Sequence, residues 1–175
     1  MHRLALLALV VFSAAAAASC SDSDSATSPS NLPVVFSAIL RPANENPPIT
    51  NAESTGVGAA QITMTVTRDS AGVITGATAD FYFQASGFPG DTRVQGAHIH
   101  PGAAGVNGPV IIGASPSAAA PVPLTNGTVE YRQSGIVVSA ANAAAVLANP
   151  SGFYFNIHSP TNTGGFARGQ LTRVQ

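Results

Sequence analysis

From residue 34 onward the chain alternates apolar and polar positions with a period of two. In VVFSAIL, Val34, Phe36, Ala38 and Leu40 alternate with Val35, Ser37 and Ile39, which predicts a strand with both faces partly covered. After the proline-rich ANENPPIT, Ala60, Ile62, Met64 and Val66 share one face, and Gln61, Thr63, Thr65 and Thr67 share the other. That is the pattern of a half-buried strand. RDSAG (68–72) leads into VITGATADFYFQASG, where Ala77, Ala79, Phe81, Phe83 and Ala85 alternate with Thr78, Asp80, Tyr82 and Gln84. Two long alternating runs joined by a short Asp/Ser/Gly loop predict a hairpin. Further strands are predicted over 92–100, 109–112, 127–137, 152–158 and 166–174, with Asn107-Gly108 and Asn126-Gly127 as tight-turn dipeptides that tolerate positive φ. SAANAAAVLANP is the one helical signal: Ser139 as N-cap, an Ala-rich body with Val146 and Leu147, and Pro150 as stop, giving a short helix near 140–148. Seven or eight short strands and one helix predict an all-β domain over 34–175, an antiparallel sandwich or Greek-key barrel.

The first 33 residues read differently. MHRLALLALVVFSAAAAASC has a basic start at His2 and Arg3, an apolar run from Leu4 to Phe12 and a small-residue tract, the layout of a secretory signal peptide over 1–19. The apolar run is too short to span a bilayer, which takes roughly 20 residues. Cys20, the single cysteine, stands where a bacterial lipoprotein signal places the residue that receives diacylglycerol. Ala17-Ala18-Ser19-Cys20 has the small residues of such a signal, with Ala17 where Leu or Val is usual. Lipid attachment at Cys20 is one expectation; ordinary cleavage at an Ala-x-Ala site between Ala14 and Ala18 is the other. SDSDSATSPSNLP then lacks the apolar residues to offset its ordering entropy, so 20–33 is expected to be a tether.

Composition narrows the partners. Charged residues are 9% of the chain and the formal net charge is -1, so there is no basic footprint for nucleic acid or an anionic membrane surface. Contact with a membrane is expected only through the lipid anchor. One cysteine excludes an intrachain disulfide, so packing alone must hold the domain.

The candidate chemistry lies in the histidines. Alternation puts His98 and His100 on one face of their strand and Ile99 on the other. In GFYFNIH it sets Phe153, Phe155 and Ile157 toward the core, with Tyr154, Asn156 and His158 opposite. Imidazoles at i and i+2 stand about 6–7 Å apart along a strand, and a third from another strand would complete a set suited to Cu²⁺ or Zn²⁺. The competing reading makes all three structural, hydrogen-bonded to carbonyls where the strand meets the Gly-rich loop. Glu45, Glu53 and Asp80 are scattered carboxylates, expected to be solvated or paired with arginine. Ser159, beside His158, has no nucleophile-elbow context, and PGAAGVNGP precedes a strand without a GK[ST]. Arg168, charged within a neutral strand, predicts a fixed partner, either a carboxylate or a row of carbonyls.

Four segments in order, LRPANENPP, AHIHPGAAGVNGPVI, FYFNIHS and GGFARGQL, resemble the chordin-type (CHRD) domain over roughly 34–174. Gly165, Arg168, Gly169 and Leu171 match its C-terminal signature, while Phe166 and Ala167 replace its acidic and aliphatic positions. The resemblance implies an immunoglobulin-like β-sandwich distantly similar to copper/zinc superoxide dismutases, and sets His98-Ile99-His100 beside the HxH that ligates copper there. Dismutase chemistry needs a fourth copper imidazole and a separate zinc site, for which the chain lacks histidines. The resulting expectation is an exported, lipid-anchored or secreted module of the bacterial cell envelope, non-enzymatic and acting by binding or as structure. Its alternative is a copper or zinc site at His98, His100 and His158, with Arg168, Gly165, Gly169, Asn107 and Gly108 in structural roles.

Overall fold

The two longest alternating runs do form a hairpin. The computed structural model describes residues 32–175. In it β1 (Val34–Leu40), β2 (Val57–Arg68) and β3 (Ile74–Ser86) follow one another as antiparallel neighbours. β8 (Val129–Val138) and the short β11 (Thr172–Arg173) complete a five-stranded sheet in the order β11-β1-β2-β3-β8. The second sheet has the order β10-β9-β5-β6, from β5 (Gly96–Pro101), β6 (Ile112–Ala114), β9 (Phe153–His158) and β10 (Ala167–Gln170). β4 (Arg93–Val94) and β7 (Val122–Pro123) pair apart from both. The architecture is an antiparallel sandwich, not a closed barrel. Among the described residues no helix is long and apolar enough to cross a membrane.

The core lies between the two sheets. Phe36, Leu40, Ile62, Met64, Phe81 and Phe83 face Ile99, Phe155 and Ile157, all essentially inaccessible to water. Phe155 sits edge-on to Phe81, with ring centroids 5.3 Å apart, and 5.9 Å from Phe83. Such pairs add about 0.5–1.5 kcal/mol each beyond their buried area. β1 covers only its inner face, because Ile39 on the outer face is exposed. The helix α1 (Ala140–Ala148) starts at the predicted cap, where the Ser139 hydroxyl accepts from Asn142 N at 3.2 Å.

Three predicted strands break where chemistry interrupts the ladder. The run 92–100 divides at Gln95, where β4 turns aside to β7, and Gln95 N donates to His158 O at 2.9 Å. The run 109–112 becomes β6 at 112, since Pro109 has no N–H to offer a ladder. The run 166–174 changes sheet at buried Leu171, so that β10 and β11 belong to different layers. Asn126-Gly127 is the tight turn expected, with φ of 51° and 73°. Asn107-Gly108 is not: neither residue has positive φ, and no turn is formed at either. Gly108 is required instead because a side chain there would overlap the Pro101 carbonyl.

Candidate metal centre

The register of the second sheet gathers the histidines. β5 and β9 pair with Gly96 opposite His158, His98 opposite Asn156 and His100 opposite Tyr154. β10 adds Arg168 beside Asn156 and Gln170 beside Tyr154, and β6 sets Gly113 beside His98. All these side chains leave the face away from the core. That face is not open, however: His100, Asn156, His158 and Arg168 are buried, beneath the loops 41–56, 101–111 and 159–166. The domain thus has a polar second interior outside its apolar one.

Within it the three imidazoles converge. His98 Nδ1 lies 2.9 Å from His158 Nε2, and one ligand atom from each of the three lies within 4.8 Å of the others. Two carbonyls decide the tautomers. His100 Nδ1 donates to Gly108 O and His158 Nδ1 donates to Thr163 O, each at 2.9 Å. Both rings therefore turn an Nε2 lone pair inward, and His98 Nδ1 carries the proton it shares with His158. Metal-bound histidines are held in this way, the second ring nitrogen donating to a carbonyl that fixes orientation and raises basicity. His100 Nε2 is buried with no hydrogen-bond partner, as a waiting ligand atom would be. The ring of His98 has room because both its neighbours are glycines: a Cβ on Gly96 would come 2.7 Å from His98 Cε1, and one on Gly113 3.1 Å from Cδ2.

The electrostatics keep these rings neutral. Burial, then the neighbouring His158 and His100, push His98 down to about 4; burial also lowers His100 and His158. At neutral pH each ring therefore offers a cation one lone pair, that of His98 once its proton has moved off the contact with His158. Glu45 is pushed up to about 7 by burial, against the opposing pull of Arg168 and Asn156. The two effects have opposite signs. A histidine depressed in the folded state costs stability as pH falls below its unfolded value of about 6.5; a carboxyl raised in the folded state costs stability as pH rises from about 4.5 to 7. In chelator-treated Glu45→Gln protein the histidine effect stands alone, and the melting temperature should fall steadily from pH 6.5 to 4. A flat profile in thermal denaturation would remove the neutral-imidazole argument.

Arg168 fixes the walls. Its Nε donates to Asn44 O at 2.6 Å, its Nη1 to Asn107 Oδ1 at 2.7 Å, and Nε stands 3.8 Å from Glu45 Oε2. The guanidinium also lies 4.5 Å over the Tyr154 ring, which stacks on His100 at 5.0 Å. Both expected kinds of partner are present, and the carboxylate comes from Glu45, not from the neighbouring strand position. Asn107 ties the same group to the 41–56 loop through Asn46 O at 2.7 Å. Gly165, at φ 128°, passes against Asn156 and Glu45, and Gly169 lies under the Ile39 carbonyl; a side chain at either position would collide.

The other two carboxylates singled out in the sequence are occupied. Glu53 is buried, accepting from Ser159 Oγ at 2.7 Å and from Asn162, and Asp80 accepts from Gly135 N at 2.8 Å. The segment read as a signal peptide, Cys20, and residues 20–31 of the expected tether lie outside the described residues. Sequence reasoning missed Gly96, Gly113, Thr163 and the role of Glu45, all brought in by cross-strand register or loops. Asn156 was on the predicted face beside His158.

With this arrangement in view, the comparison with protein families is specific: the CHRD domain model matches residues 36–171. The chain belongs to the CHRD domain family. The match takes in the whole second sheet, the three histidines and Arg168, so the polar interior lies inside the CHRD domain. Comparisons with curated proteins and with solved structures find no match.

Proposed function

We propose that this CHRD domain is a non-enzymatic module of the cell envelope that binds copper or zinc through His98, His100 and His158. The observation that carries the reading is the convergence of three imidazole nitrogens within 4.8 Å, two of them oriented by backbone carbonyls. Three nitrogen donors on a rigid sheet suit Zn²⁺ or Cu²⁺. Dismutase chemistry is disfavoured, because the only other histidine in the chain is His2, in the signal segment. Titration of the purified domain with Cu²⁺ and Zn²⁺, beside a His98→Ala/His100→Ala variant, tests the site. One-to-one binding by wild type alone is expected, and equal binding by both would end the reading.

The signal segment and Cys20 support export and lipid attachment. In a bacterial host, Cys20→Ser is expected to move the protein from the membrane pellet to the soluble fraction. Mass spectrometry finding an unmodified mature terminus upstream of Cys20 would remove the anchor and leave a secreted protein.

A further inference from the structure

We infer that the side-chain oxygen of Asn156 is a fourth donor of the three-histidine centre, making it an N₃O site for a divalent cation. This rests on the metal reading above and says what kind of centre it is. Asn156 is 1% exposed, and its Oδ1 has no hydrogen-bond partner. It occupies the middle of the polar face, opposite His98 on the neighbouring strand and two residues before His158. Its amide nitrogen is committed to the loop: Nδ2 donates to Gly164 O at 3.3 Å and lies against Gly165 near Glu45. Flipping the amide would set two oxygens face to face there, so Oδ1 is held on the other side.

On that side stands His100, on the neighbouring strand two residues beyond the position that Asn156 faces. Its Nδ1 proton is committed to Gly108 O, so its Nε2 presents only a lone pair. Two buried acceptors, His100 Nε2 and Asn156 Oδ1, thus share one face of the sheet, each without a hydrogen-bond partner. A buried acceptor left unpaired is costly. A cation that takes both lone pairs, with those of His98 and His158, satisfies them together.

The donor set selects the ion. The three imidazoles suit Zn²⁺ or Cu²⁺, and an amide oxygen, a hard ligand, adds to a divalent ion where Cu⁺, which prefers soft donors, gains little from it. Four protein donors also leave no open position of the kind catalytic zinc keeps, in agreement with a binding role.

The test measures Zn²⁺ and Cu⁺ affinities by chelator competition for wild type, Asn156→Leu and Asn156→Asp. Asn156→Leu should weaken Zn²⁺ by at least the roughly 10–100-fold that follows from losing a supporting partner, while leaving Cu⁺ unchanged, a split that a merely structural role would not produce. Asn156→Asp, of the same shape, should bind Zn²⁺ at least as tightly as wild type, and Co²⁺ absorption should differ between the two variants. Unchanged Zn²⁺ affinity in Asn156→Leu overturns the inference, as does equal weakening of both metals, or an aspartate variant no tighter than the leucine one. Those outcomes leave the three-histidine reading standing. Failure of wild type to bind either metal removes both.

Discussion

Arg168→Met is expected to lower the stability of the domain by about 3–5 kcal/mol at pH 8, the usual cost of breaking a buried ion pair from one side. Arg168 is 2% exposed, and its removal strands three groups together: the Glu45 carboxylate, the Asn44 carbonyl and Asn107 Oδ1. At about 2–4 °C per kcal/mol for a chain of this size, the melting temperature should drop by about 6–20 °C. Glu45→Gln added to Arg168→Met should recover part of the loss, because it withdraws the stranded charge. Arg168→Lys keeps the charge but not the planar fork that serves Asn44 and Asn107 together, and should fall between. The methionine variant should also bind metal less tightly, because the 101–111 loop that Arg168 anchors carries the Gly108 carbonyl behind His100. Thermal denaturation followed by circular dichroism decides it; a methionine variant within 1 kcal/mol of wild type would mean that Glu45 and the loops find other partners.

That dependence on loops marks where sequence reasoning stops. The hairpin β2–β3, the helix cap at Ser139 and the division of GFYFNIH into core and opposite faces were legible, because each depends on a period or a cap within one segment. The same-face relation of His98 and His100 was legible for the same reason. The nearness of His158 was not, since it follows from the register that sets Gly96 opposite His158, a choice made by the whole β5–β9 ladder. Nor could alternation show that the face opposite the core would itself be buried. Loops 41–56, 101–111 and 159–166 do that, and no periodic signal describes them. Arg168 was visible as a charge needing a partner, but Glu45 lies 123 positions earlier in the chain. Asn107-Gly108 misled for a related reason. The dipeptide has turn chemistry, yet here Asn107 is used for its amide and Gly108 for the space beside Pro101.

Metal should stabilise this domain, and the histidines should account for all of the gain. A ligand that binds only the folded state at a hundredfold excess over its Kd adds about 2.7 kcal/mol, so Zn²⁺ or Cu²⁺ should raise the melting temperature of wild type by about 5–10 °C. In His98→Ala/His100→Ala that gain should vanish, because one imidazole and one amide oxygen remain. The affinity loss should exceed the 10–100-fold that follows from removing a supporting hydrogen-bond partner, since ligands themselves are gone. His98→Ala alone is the cleaner variant for stability. His98 is only partly buried and its one hydrogen bond is to His158, whereas His100 also stacks on Tyr154 and ties down Gly108. The metal-free form of His98→Ala, which leaves His158 Nε2 without its donor, should therefore melt below wild type but above the double variant, and a metal response lost in it as well reads as a lost ligand. A metal-induced rise that survives in both variants would place the cation elsewhere and return the three imidazoles to hydrogen bonding alone.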